Sequence, residues 1–152
     1  MKGKISGRET KRTIAEFRVE GNTPAIDAAT KAALERGLRR VAIHWHGEAR
    51  QRAPVDYGRL QSSIAFAAPG TNPAVQVEAS PGNPAGIFQP QPVQGLEAFV
   101  GSNVNYAAPV HELHPTQSGF IENPGNEYSA RYQGILREEV IRATTGLAAA
   151  AD

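Results

Sequence analysis

Alternation and helical spacing of apolar positions divide the chain into a short set of elements. From Thr13 to Glu20, Ala15, Phe17 and Val19 alternate with Glu16, Arg18 and Glu20, which predicts a half-buried strand. Leu34, Leu38, Val41, Trp45 and Ala49 then fall at steps of three and four, and Lys31, Glu35, Arg36, Arg39, Arg40, Glu48 and Arg50 take the remaining positions. That is the single apolar stripe of a helix with one buried face. Thr23-Pro24 reads as its N-cap and first helical position, with Asp27 in the first turn, and Pro54 ends it by removing a backbone donor. From Pro24 to Arg52 such a helix is roughly 43 Å long at about 1.5 Å per residue. A domain of this size has a radius of gyration of roughly 15 Å, so the helix either bends or packs in part on something outside its own domain.

Beyond Pro54, Asp56 can cap a short turn or helix over 57–63, and 64–68 is extended. Val75, Val77 and Ala79 alternate with Gln76 and Glu78 as a second strand, and 98–102 resumes strand. Tyr106–Leu113 reads as a short helix or turn and Glu122–Asn126 as a turn. Tyr132, Ile135, Leu136, Val140 and Ile141 supply the core positions of a final helix over 131–142, with Gly146 as its stop. Six prolines and four glycines between Ala67 and Glu97 interrupt regular structure, so 80–95 is expected to protrude as a loop. Its bulky apolar pair, Ile87 and Phe88, is either a contact point or folds back on the domain. Residues 1–12 hold five Lys/Arg with Gly3 and Gly7 and predict a mobile basic arm; the Ala-rich 147–152 predicts a frayed tail.

At 152 residues and 16.2 kDa the chain is one ordinary domain, 13–146 between arm and tail, able to bury roughly 70% of its unfolded surface. The absence of cysteine excludes disulfides, thiolate catalysis, thiolate zinc sites and iron–sulfur clusters. Apolar runs are only a few residues long and the basic start lacks an apolar stretch, so a soluble chain without a membrane span or secretion signal is expected. Net charge is +1, yet 1–59 hold thirteen Lys/Arg against seven Asp/Glu, while 60–130 hold no Lys, Arg or Asp and five glutamates. Segments of opposite sign either pair between copies of the chain or neutralise each other within one fold.

Candidate chemistry is sparse. His44 and His46 are two apart on the predicted helix, hence on opposite sides of it. His111, Glu112 and His114 form H-E-x-H, one residue short of the H-E-x-x-H zinc-hydrolase spacing. A small metal-dependent hydrolase using these three residues is the enzymatic alternative. Ser62 and Ser63 lack the nucleophile elbow, no phosphate-binding glycine loop appears, and Asp56 with Glu112 is explained as a cap and a surface glutamate. Basic residues lie early and aromatics late, which does not fit a single-strand nucleic-acid binder, whereas passive passage of DNA is compatible with near-zero net charge. The residues therefore point away from an enzyme, with no catalytic, cofactor or metal set assigned.

Two blocks carry a resemblance. A-P-V-D-Y-G-R-L-Q-S-S-I, Ala53 to Ile64, follows the long helix, and V-G-S-N-V-N-Y-A-A-P-V-H-E-L runs from Val100 to Leu113. Together they resemble the small neck or tail-completion proteins of tailed bacteriophages, also called head–tail joining or minor tail proteins. Pro54, Asp56, Gly58, Leu60, Ser63 and Ile64 match that family's first block; Gly101, Asn103, Val104, Tyr106, Ala107 and Glu112 match its second. Tyr57 stands where the family has Thr, His114 where it has Gly, and 69–97 is longer than usual. The resemblance covers about residues 13–113 and is structural in content: Pro54 stops the helix, Asp56 accepts backbone bonds, Gly58 permits a tight turn, and Leu60 and Ile64 return to the core.

The resemblance implies an α+β domain, a small mostly antiparallel sheet packed on one long helix, with a C-terminal helix and the long Pro/Gly-rich loop. It implies a homo-oligomeric ring, typically hexameric, in the virion neck between the head connector or stopper and the tail tube or terminator. DNA passes through passively, and neither cofactor nor membrane is involved. Arg59, Glu112, Ile87 and Phe88 are the candidate subunit contacts, with Arg59 and Glu112 a possible pair within or between subunits.

Overall fold

A computed structural model describes residues 2–7, 13–18, 27–55 and 58–151. In chain order these form β1 (Lys2–Gly7), β2 (Thr13–Arg18), α1 (Ala28–Arg52), α2 (Arg59–Ser63), β3 (Ala65–Ala67), β4 (Val75–Val77), β5 (Gly86–Phe88), β6 (Glu97–Ser102), α3 (Ala107–Leu113), α4 (Glu122–Glu127) and α5 (Ser129–Ala151). The fold is α+β. A four-stranded antiparallel sheet has the order β1-β2-β6-β3, and β4 and β5 form a separate antiparallel hairpin.

α1 is the spine. Asp27 caps it by accepting the Thr30 N–H at 2.7 Å, with its own backbone extended at ψ 168°. Asp27 therefore precedes the helix and does not lie in its first turn; Thr23 and Pro24 fall outside the described residues. The predicted stripe is buried throughout: Leu34, Leu38, Val41, Trp45 and Ala49 are all 8% exposed or less. One side of α1 lies on β6 and β3, where His46 stacks on Phe66 at 5.2 Å between centroids. Another side takes α5, which runs antiparallel: Trp45 meets Tyr132, Gly37 meets Leu136, and Arg36 bonds Glu139. The helix thus spends its length inside its own domain. Its last turn is tied to α4 by Arg52–Glu127 at 2.8 Å, to α2 by Gln61 Nε2 on the Arg50 carbonyl, and to the 114–119 turn by Gln117 Nε2 on the Arg52 carbonyl.

Three expectations about the less regular parts are corrected. Residues 2–7 of the supposed basic arm form β1, an edge strand paired along its length with β2 from Lys2↔Arg18 to Gly7↔Thr13; a ladder of backbone bonds orders a segment that has few apolar side chains. Residues 1 and 8–12 lie outside the described set. The final helix does not stop at Gly146 but continues to Ala151, since alanine is the best helix former and one glycine costs only about 1 kcal/mol. The 80–95 loop contains β5, and Pro-Gly pairs organise it and the segment before it. Ala68-Pro69-Gly70-Thr71 and Ser80-Pro81-Gly82-Asn83 each close a four-residue turn, with Gly70 and Gly82 at φ 78° and 79°. Proline at the second position and glycine at the third is the type II arrangement.

The hairpin docks on its own domain. Ser62 Oγ accepts the Glu78 N–H at 2.8 Å, and Arg59 Nη1 donates to the carbonyls of Glu78 and Pro84 at 3.1 and 2.8 Å. Phe88 lies over Ala65, Ala67, Phe99 and Gly101 on the sheet face away from α1, bounding a groove of 230 Å³. Of the predicted contact pair, Phe88 is folded back and half-buried, whereas Ile87 is 73% exposed. None of the described helices is long and apolar enough to cross a membrane.

Candidate functional site

The two sequence blocks meet at one junction. After α1 the chain turns at Ala53-Pro54, and Gly58, at φ 75°, begins α2 from the left-handed region that favours glycine. α2 buries Leu60, Ser62 and Ser63 and delivers Ile64, fully buried, to β3. Gly101 sits mid-sheet in β6, opposite Ile14 on one side and Ala65 on the other. Between the blocks runs a buried chain of hydrogen bonds. Ser63 Oγ donates to the Leu60 carbonyl at 2.6 Å, Ser102 Oγ donates to Ser63 Oγ at 2.5 Å, and the Val104 N–H donates to Ser102 Oγ at 3.2 Å. Each hydroxyl donates once and accepts once, so both are satisfied without water. Ser102 is the residue that site selection from sequence missed; its signal was its place as third residue of the second block. Replacing Ser63 with alanine strands the Ser102 hydroxyl, and we expect a loss of about 2 kcal/mol of stability by urea titration; an unchanged midpoint would refute the chain.

Above this junction lies a cleft of 580 Å³ lined by Pro54, Leu60, Ser80, Pro81, Tyr106, Val110 and His114. Both blocks and the 80–95 segment contribute to it. Tyr106 is half-buried and its carbonyl accepts the Val110 N–H at 3.1 Å, starting α3. Asn103 and Glu112 are exposed, and Asp56 lies outside the described residues. Arg59 does not meet Glu112: its Nη1 is taken by the two hairpin carbonyls, which hold it beside β4.

The described histidines are all engaged within the fold. His111 is buried, its Nε2 accepts the Glu122 N–H at 3.2 Å, and its ring packs edge-on against Phe120. His114 Nδ1 accepts the N–H groups of Thr116 and Gln117 at 3.3 and 2.9 Å. The lone pair of each ring that a cation would need is thus engaged by backbone donors. Among the described residues no three His, Cys, Asp or Glu side chains could hold a metal ion. His44 and His46 flank Trp45 on opposite sides of α1, as the helical spacing requires: His44 Nδ1 is hydrogen-bonded to the Tyr132 hydroxyl at 2.9 Å, and His46 Nε2 donates to the Ile64 carbonyl at 2.7 Å.

Burial pushes the pKa of His46 and of His111 below the usual imidazole value of 6.5, the carboxylates of Glu122 and Glu112 only partly opposing it at His111. The unfolded chain therefore takes up protons first as pH falls. Stability is full above the ordinary value of 6.5 and is drawn down as pH drops through the lowered folded values. We expect the urea midpoint to fall between about pH 7 and pH 5, before carboxylates titrate, and His111→Gln to flatten part of that slope. Identical midpoints at the two pH values would contradict it.

Compared with known proteins, the chain matches no family model, no curated protein and no solved structure. What the fold and the junction define is an α+β domain in which Ser63 and Ser102 brace backbone groups.

Proposed function

We propose that this chain is a structural subunit of a tailed-bacteriophage virion, forming a ring in the neck that joins the head connector to the tail and leaves an axial passage for DNA. The observation that carries the reading is the meeting of both sequence blocks at the Ser63–Ser102 bond, where the two hydroxyls are satisfied by each other and by backbone groups. The hydrolase alternative is not favoured by any observation, because the His111 and His114 lone pairs are spent on backbone N–H groups.

A closed ring of identical subunits needs a heterologous interface, one patch meeting a different patch on the neighbour. The mechanism is then assembly: copies dock around an axis, one face of the ring meets the connector and the other the tail. Sedimentation velocity with negative-stain microscopy of the purified chain tests this. A closed, hollow ring of a few copies is expected; a monomer at every concentration, or a hydrolytic turnover abolished by His111→Ala, would overturn it.

A further inference from the structure

The H-E-x-H segment at the end of α3 has no part in the ring reading, yet the structure gives both of its histidines the same task. His111 Nε2 accepts the Glu122 N–H at 3.2 Å, and His114 Nδ1 accepts the N–H groups of Thr116 and Gln117 at 3.3 and 2.9 Å. A ring nitrogen that accepts carries no hydrogen, so neutral His111 bears its proton on Nδ1 and neutral His114 on Nε2. The two acceptors bracket one turn, 115–121, which joins α3 to α4. Pro115, Thr116, Gln117 and Ser118 are exposed, whereas Phe120 and Ile121 at its far end are buried, and the Ile121 carbonyl accepts the Trp45 indole N–H. Three backbone donors that fix this turn and the start of α4 therefore end on imidazole lone pairs. A fourth, the Gly119 N–H, ends on the His111 carbonyl at 2.7 Å.

A proton on either accepting nitrogen sets a donor against a donor, and the bond is lost rather than weakened. We propose that His111 and His114 form an acid-opened clasp: neutral, they hold the 115–121 turn and the start of α4 closed, and protonated they release them while α1, α5 and the sheet stay folded. Glu112 on α3 and Glu122 on α4 draw a proton toward His111, but burial outweighs them and sets its pKa below the usual 6.5. The Phe120 ring meets it edge-on. β2 also meets α3, and its charged residues are Glu16 and Arg18. Near His114, Tyr106 lines the same cleft, and Arg52, whose carbonyl accepts Gln117 Nε2 at 3.4 Å, is paired with Glu48 and Glu127. The closed turn cannot hold a proton on the two accepting nitrogens and the open turn can. Closure is thus complete above the ordinary imidazole range and is drawn down as pH falls below it. This device does not depend on the ring reading.

Amide hydrogen exchange of the full chain, followed by NMR at about pH 7.5 and about pH 5 with low urea added in steps, tests the clasp. Each rate is divided by that of an unstructured peptide at the same pH. Protection of the Glu122 amide is expected to fall by up to about 30-fold between the two pH values, the limit for one group that titrates near 6.5 when released and takes no proton when bound. At the lower pH its exchange should be insensitive to urea, because a local opening exposes little surface, while the amides of Val41 in α1 and Val100 in β6 keep the steep dependence of whole-domain unfolding. Protection that does not change with pH, or a Glu122 amide that follows Val41 and Val100 in urea, would overturn the proposal. His111→Gln with His114→Asn places an oxygen near each accepting position and cannot take a proton. In that variant the fall is expected to disappear, and a fall as large as in the unaltered chain would refute the role of the two rings. Nitrogen-15 spectra of the imidazoles need no variant: proton uptake by His111 and His114 should coincide with loss of protection at Glu122 and Gln117. Rings that take up protons while both amides stay protected would also overturn it.

Discussion

Replacing Trp45 with alanine is expected to lower the unfolding free energy by about 4 kcal/mol, the cost of deleting a large buried aromatic side chain. The indole is 2% exposed and stands where three elements converge. Its Nε1 donates to the Ile121 carbonyl at 2.7 Å, and its ring lies near Tyr132 of α5. It also packs against Gly125 so closely that a Cβ there would sit 2.7 Å from Trp45 Cζ2. Alanine leaves a void between α1, α4 and α5 and strands the Ile121 carbonyl. Trp45→Phe restores part of the volume without the donor, so its loss should fall between the two. The measurement is urea unfolding followed by circular dichroism, because Trp45 is the chain's single tryptophan and its fluorescence disappears with it. A Trp45→Ala midpoint equal to that of the unaltered chain would mean that α4 is not held on α1 by this residue.

The second large effect is at Gly37, where α1 and α5 come closest. A Cβ at this position would lie 2.6 Å from Leu136 Cδ2 and 3.3 Å from Leu136 Cα. The Cδ2 atom can swing away, but the Cα belongs to the α5 backbone and the helices must separate to release it. Gly37→Leu is therefore expected to cost about 3 kcal/mol through overpacking, more than the roughly 1 kcal/mol that a better helix former returns. Leu136→Ala alone opens a cavity and also destabilises. The pair combined should recover stability relative to either single change, since the new side chain enters the space vacated by the old one. Additive losses in the double variant would show that the two positions are not in contact.

Both effects lie on the helix that was most legible in the sequence. The α1 stripe could be read because it repeats over four turns and because Pro54 marks its end without ambiguity. Gly37 could not be read as a contact: its value lies in what α5 brings to it from a hundred residues away, and spacing along one helix carries no information about that. β1 was hidden for the same reason, since an edge strand with lysine and glycine in alternate places is ordered by its ladder with β2 and not by apolar burial. The Pro-Gly pairs at 69–70 and 81–82 looked like interruptions when counted as breakers. Read as turn formers, they bring Asn72 to the Pro90 carbonyl at 2.9 Å and Gln89 to the Asn72 carbonyl at 3.0 Å, and the proline-rich segment is strapped down.

The junction itself was half legible. Gly58 and Leu60 carry local signals, a left-handed turn and a return to the core, and both are found in those roles. Ser63 and Ser102 carry only their places in the two blocks, because a serine that bonds across two segments otherwise looks the same in sequence as one that faces water. Arg59 suggests a subunit contact by its position at the boundary between the basic and acidic segments; within its own domain its Nη1 braces the carbonyls of Glu78 and Pro84, a use that a guanidinium with five donors suits equally. Charge along the chain was partly resolved within the fold, through Arg52–Glu127, and partly left on separate surfaces at Arg36, Arg40, Glu112 and Glu122.

Electron microscopy of tailed particles assembled with this chain present, with the subunit located by fitting its α+β domain, tests the proposed neck role most directly. A ring of copies between the head connector and the tail around an open axis is the expected result. Particles that are fully assembled and infectious without the polypeptide, or that carry it elsewhere than the neck, would contradict it.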